Sequence, residues 1–337
     1  MGTESTAINH FPYDMDTLEQ FKDSQAFPKM VTINTTYICN SKCPHCPYTN
    51  STIRQEQRAI ETPYMPEDVF KTIARQTGQN KSILRVSGAG EPLLHNRLID
   101  YIEYAKAEGC QTGLITNGSM MTEDKASRLL SAGIDTIEFS VDAADIETYS
   151  IVRKGLDFDN TLENIKLTVA LRNTLNPATN IIASVVNQKI ITEKVPQIVE
   201  FWDKIVDKVQ VRKYLTWDIN DLADSGDLTP YLNADAPCPF PFDRILIDTN
   251  GDVRFCIYDI KGRTNWGNVM KEPISAIWGG ADFQWLRQLH IKREFSRMKL
   301  CENCADRQFR SWNYNYYYLL EKASKEKLQK QPSKDET

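Results

Sequence analysis

Three cysteines share the run CNSKCPHC, as Cys39, Cys43 and Cys46, and four more stand far downstream as Cys238, Cys256, Cys301 and Cys304. Thiolates ligate zinc and iron–sulfur clusters. A structural zinc, or a cluster that only carries electrons, takes four protein ligands. The downstream set can supply four. The upstream triplet cannot, so it leaves one metal position open, and an open position is where chemistry occurs. Further polar groups follow the triplet: Gly88, Ala89, Gly90 and Glu91 in SGAGEP, Asn117 in TNG, Ser140 and Asp142 in FSVD, and Arg153 in YSIVRKG.

The elements that must position these groups are legible in the hydrophobic pattern. Short β-branched runs alternate with helical periodicity from about residue 30 to residue 215. Strands are predicted over 31–36, 83–87, 111–115, 136–141, 180–186 and 209–215, and helices over 66–78, 95–108, 122–132, 159–172 and 193–206. Six such alternations build a parallel sheet with right-handed crossovers, either an incomplete barrel or an open doubly wound sheet. In both, functional groups belong at the C-terminal strand ends. The cysteine triplet, GAGEP, TNG and FSVD all fall there. Beyond residue 216 the pattern changes. Residues 218–235 read as an acidic linker, and Asn250-Gly251 between two β-rich runs predicts a hairpin with Cys256 on its second strand. A helix is expected over about 274–291. The division is then 1–29 as an N-terminal extension, 30–217 and 218–310 as two domains, and 311–337 as a C-terminal segment with a charged tail.

With 337 residues, 41% of them hydrophobic and 25% charged, the chain is expected to bury a large core. A net charge of −5 gives no reason to expect nucleic acid or a membrane as partner. No apolar run reaches the roughly 20 residues of a membrane span, and the N-terminus lacks the basic start and apolar stretch of a signal peptide. Eight cysteines without such a signal point to a reducing, cytoplasmic setting and to metal ligation rather than disulfides. The eighth, Cys110, precedes a strand and so lies at the sheet end away from the chemistry, as a structural thiol.

In this order, CxxxCxxC, GAGEP, TNG and FSVD resemble the radical S-adenosylmethionine (SAM) superfamily over about residues 30–215. The resemblance implies a partial (β/α)6 TIM-like barrel with a [4Fe–4S] cluster on Cys39, Cys43 and Cys46, and SAM on its fourth iron. It also implies a SAM site drawn from His45, Gly88, Ala89, Gly90, Glu91, Asn117, Ser140, Asp142, Arg153, Asn187, Tyr214 and Leu215, with Glu91 toward the methionyl ammonium. His45 stands where the family usually has an aromatic residue, and Ala89 where it usually has glycine. The downstream cysteines resemble the SPASM/Twitch extension, a C-terminal β-hairpin/helix domain. There, four ligands would complete one second [4Fe–4S] cluster; a four-cysteine zinc site is the alternative.

In cysteine spacing the chain is similar to the 2-deoxy-scyllo-inosamine dehydrogenase family. That implies oxidation of a small polar substrate such as a sugar or aminocyclitol, with a flavodoxin- or ferredoxin-type electron donor. Arg212, Tyr258 and Asp259 are the candidate substrate and catalytic residues, with structural ion pairs as their alternative role. Two rival activities share the opening step. An epimerase needs a hydrogen-atom donor, and Cys110 is the spare cysteine. A peptide-modifying enzyme often carries an N-terminal peptide-binding domain, for which residues 1–30 are too short.

Overall fold

A strand whose side chains alternate has one face to bury and one to leave open. The computed structural model describes residues 26–49, 62–214, 235–259, 264–302, 304, 307 and 308. Its strands are β1 (Met30–Asn34), β2 (Ile83–Ser87), β3 (Gln111–Thr116), β4 (Thr136–Ser140), β5 (Asn180–Asn187), β6 (Lys208–Lys213), β7 (Arg244–Ile247) and β8 (Val253–Arg254). They form one sheet in the order β6-β5-β4-β3-β2-β1-β7-β8. All pairings from β6 to β7 are parallel, and β8 returns antiparallel.

Helices Glu67–Gln79, Leu98–Ala107, Glu123–Ser131, Phe158–Leu175 and Val195–Asp203 make the crossovers. Their apolar sides meet one sheet face, where Val31, Leu84, Leu114 and Phe139 join Phe70, Ile102, Leu129 and Ile165 in the main core. Thr122 caps its helix as expected, accepting from the Lys125 N–H. The other face holds a small separate apolar cluster of Met30, Ile83 and Ile115. It also carries the buried polar residues Thr32, Asn34, Glu138 and Ser184. The inner face of this partial barrel is therefore polar, and it opens toward the strand ends that carry the motifs.

Three expectations are corrected. The hairpin exists, but β7 pairs in parallel with β1, from Met30↔Arg244 to Ile33↔Ile247, so it extends the barrel's sheet. Such a pairing joins segments some 200 residues apart, beyond the reach of a local pattern. Cys256 lies beyond β8, in a turn closed by the Asp259 N–H on the Cys256 carbonyl, and not on the strand. The long C-terminal helix is two, Ile274–Gly279 and Ala281–Lys292, broken where Gly280 is extended. A short helix that was not expected, Ile146–Val152, follows β4 and is capped by Asp145. Residues 1–25, 215–234 and 309–337 lie outside the described residues, and with them the extension, most of the linker, Leu215 and the tail. No helix among the described residues is long and apolar enough to cross a membrane.

The turn after β2 is pressed against the loop after β1. A Cβ on Gly90 would sit 2.4 Å from the Ile38 carbonyl oxygen and 2.7 Å from that of Thr36. Both obstacles are backbone, so Gly90→Ala is expected to lower stability by about 1–3 kcal/mol. Chemical denaturation of the apoprotein would measure the loss.

Candidate cluster and substrate sites

The first cysteine loop leaves β1 and turns at once. Cys43 is buried; Cys39 and Cys46 are partly so. The Ser41 N–H donates to Cys39 Sγ at 3.4 Å, and Ser41 Oγ lies 2.8 Å from Cys43 Sγ. Arg153 Nη1 is 3.8 Å from the same Cys43 sulfur. Burial, with the neighbouring Cys43 and Cys39 thiols, pushes the Cys46 thiol up to about 12. A desolvated thiol such as Cys46 becomes a thiolate far more readily against a multivalent cation.

Neighbouring motifs lock this loop. The Glu91 N–H donates to the Ile38 carbonyl at 2.8 Å. Its carboxylate is buried, and Oε1 accepts from Thr116 Oγ1 (2.6 Å) and the Leu93 N–H (3.0 Å) while Oε2 accepts from the Asn117 N–H (2.8 Å). Burial pushes the Glu91 carboxyl up, opposed by these three bonds. Asn117 Nδ2 donates to Asn40 Oδ1 in the cysteine loop. Gly88, at φ 139°, lies so close to Asn34 that a Cβ would meet Oδ1 at 1.8 Å. Ala89, the next residue, is buried.

Asp142 is fully buried and left-handed, at φ 56°. Its Oδ1 accepts from the Val186 N–H at 2.7 Å, and its Oδ2 pairs with Arg153 Nη2 at 2.7 Å. His45 Nε2 lies 3.6 Å from the same oxygen. Burial lowers the His45 pKa to about 4 despite Asp142, so this contact is not an ion pair at neutral pH. Asp142 thus holds Arg153 beside Cys43. Ser140, at the end of β4, shares the inner face with Ser184 in register. Asn187 Oδ1 accepts from Thr192 Oγ1, and Tyr214 is buried just beyond β6.

At the second site Cys238, Cys256, Cys301 and Cys304 all line one cavity, with Tyr258, His290 and Arg307. Backbone N–H groups of Tyr258 and Arg307 meet Cys256 and Cys304 sulfur at 3.4 Å each. Among the described residues no three His, Cys, Asp or Glu side chains are grouped around one metal-ion position. Four thiols around a shared space, with amide donors on sulfur, fit the thiolate set of a cluster.

The inner face supplies a third site. Arg212 on β6 donates from Nη2 to Glu138 Oε1 on β4 (2.7 Å) and from Nε to Ser184 Oγ on β5 (2.8 Å). Glu138 is 1% exposed, and its Oε2 has no hydrogen-bond partner among the described residues. Asp259, by contrast, is spent on its own turn, accepting from the Thr264 N–H and Oγ1. Tyr258 lines the second cysteine cavity, whereas Arg212 lies on β6.

Residues 33–180 match the radical SAM superfamily. The chain carries a radical SAM domain. Residues 238–305 match SPASM, an iron–sulfur cluster-binding domain. This radical SAM protein therefore uses SAM and two [4Fe–4S] clusters, and the two thiol sets above fit them. Its fold is similar to that of BtrN in complex with AdoMet and 2-DOIA (TM-score 0.55, 20% identity, covering 86% of this chain and 98% of that one). It is also similar to Streptococcus suis SuiB bound to precursor peptide SuiA (TM-score 0.60, 15% identity, 80% and 69%). The tungsten-containing aldehyde ferredoxin oxidoreductase cofactor-modifying protein of Pyrococcus furiosus is 23% identical over 308 residues, covering 77% of this chain and 83% of that relative. Three further curated relatives are spanned over only 37% to 42% of their own length.

Sequence reasoning missed Glu138, although Thr136, Glu138 and Ser140 alternate with Ile137 and Phe139, and that period places them on one face. It also missed Asp248 and Arg254. Asp248 accepts from Asn34 Nδ2 at 2.6 Å and pairs with Arg254. Tyr37 hydrogen-bonds to Asp248 and Tyr48 to Arg254.

Removing the Asp142 charge would strand a buried guanidinium. Asp142→Asn is expected to cost about 3–5 kcal/mol, and adding Arg153→Met should recover part of it. Denaturant unfolding of the single and double variants measures the coupling.

Proposed function

We propose that this radical SAM enzyme dehydrogenates a polar, hydroxyl-bearing substrate such as a sugar or aminocyclitol, bound on the inner face of the barrel. The observation that carries the reading is the second site, where four protein thiols line one cavity. A site whose ligands all come from the protein suits electron transfer and leaves no position for substrate. When bound, SAM and the clusters supply hydrogen-atom abstraction and one-electron transfer.

Turning a carbinol into a carbonyl removes one hydrogen atom, one proton and one electron. The chain must hold the carbinol, receive the proton and give the electron a destination. Glu138 offers a buried carboxylate oxygen that accepts a hydrogen bond from a hydroxyl and can take its proton. Arg212 keeps the other oxygen of Glu138 occupied and fixes its orientation. Asp142 and Arg153 hold the first cysteine loop, while Glu91 and Asn117 fasten the strand ends that flank it. Gly90 brings the GAGEP turn against the same loop.

Cys110 supports oxidation over epimerisation by a cysteine donor. It is buried before β3, its Sγ bonded to the Ala74 carbonyl at 3.2 Å, and burial pushes the thiol up to about 12. A flavodoxin- or ferredoxin-type protein is the proposed source of electrons.

Anaerobic reconstitution should yield about eight irons per chain, with 5′-deoxyadenosine formed under reductant. Cys39→Ala should abolish that product. Cys301→Ala should retain it at least in part while losing the oxidised substrate, and equal loss of both with an intact fold would sink the electron-acceptor role. With a panel of aminocyclitols and sugars scored for a carbonyl product, Glu138→Gln, which can still accept a hydrogen bond but cannot take the proton, should lower kcat by about 10²- to 10⁴-fold.

A further inference from the structure

His290 lines the cavity of the four C-terminal cysteines and is fully buried on helix Ala281–Lys292. Its Nδ1 accepts the Cys238 N–H at 3.0 Å. An imidazole that accepts at Nδ1 has no proton there, so the proton sits on Nε2. That Nε2–H is buried and has no hydrogen-bond partner among the described residues. A buried donor without a partner costs about 1–3 kcal/mol, and a cavity walled by thiols is the place where it finds one. The ring is packed against Phe295, with centroids 5.3 Å apart, so it is not free to turn elsewhere.

Arg307 completes the setting. It is 2% exposed and lies 3.7 Å over the Phe295 ring. Its guanidinium donates to the carbonyls of Cys301, Ala236 and Glu302. A fixed positive charge thus stands at the wall of the cavity.

We propose that His290 donates a hydrogen bond from Nε2 to sulfur of the second cluster and, together with the Arg307 charge, raises that cluster's reduction potential. A reduced cluster carries one more negative charge than an oxidised one. Donors to its sulfurs and nearby cations stabilise the reduced form more, which makes the site a better electron acceptor. His290 is in this sense a positioning and tuning residue, not one that touches substrate. The proposal rests on the reading of the four C-terminal cysteines as cluster ligands; it does not depend on which substrate is oxidised.

The test is a potentiometric titration of the reconstituted full-length enzyme followed by electron paramagnetic resonance. The first cluster is identified as the one whose signal changes on adding SAM, and it serves as internal reference. His290→Phe keeps the ring packing and removes the donor. It should lower the midpoint of the second cluster and leave that of the first in place. His290→Gln, whose amide can accept from Cys238 and still donate, should restore part of the shift. Two loaded clusters with an unmoved second midpoint in His290→Phe would overturn the proposal and leave the dehydrogenase reading standing. Four irons and one zinc in the wild type would overturn both. Should His290→Phe fail to load its second cluster, wild-type enzyme labelled with ¹⁵N-histidine decides: a weak nitrogen coupling on the reduced second cluster upholds the hydrogen bond, and its absence refutes it.

Discussion

The buried ion pair between Asp248 and Arg254 is the joint on which the rest of this architecture depends. It sits where β7 ends and β8 returns, and Asn34 at the end of β1 donates to the same carboxylate. Tyr37, two residues before Cys39, bonds to Asp248, and Tyr48, two residues after Cys46, bonds to Arg254. Arg254 in turn holds the Asp259 carbonyl and stands two residues before Cys256. One pair therefore fastens both flanks of the first cysteine loop and the entry to the second. Buried pairs add little net stability, but losing one partner strands a charge in a dry site. The pair thus acts as a registration device more than as a source of free energy.

Much of the barrel was legible because its signals are local. Cysteine spacing is covalent, strand periodicity repeats every two residues, and glycine turns mark where strands stop. Gly90 shows how far that goes: a close approach was readable, yet the surface approached is the cysteine loop. What stayed hidden depends on partners distant in the chain. Asp142 looked available for a ligand, and its carboxylate is occupied by the Val186 N–H, 44 positions on, and by Arg153. Glu138 went unnoticed for the converse reason. A single carboxylate among apolar residues becomes meaningful only when Arg212, 74 positions away, closes on it across an intervening strand.

The two cysteine sites differ in electrostatic design. At the first, Arg153 is charge-balanced by Asp142, so its field on Cys43 is partly cancelled. At the second, His290 is neutral, since burial and Arg307 lower its pKa to about 3. Burial also pushes the Cys301 thiol far up, so that site too demands a cation before it can ionise. Salt penetrates such enclosed sites poorly, so these fields act close to full strength.

The pairing of β7 with β1 bears on motion as well as on shape. A hydrogen-bonded ladder joins the strand that launches the first cysteine loop to the strand that leads toward the second. A hinge between β1 and β7 would have to tear that ladder. The spacing from the strand that launches the first cysteine loop to the strand that leads toward the second site is accordingly built into the sheet.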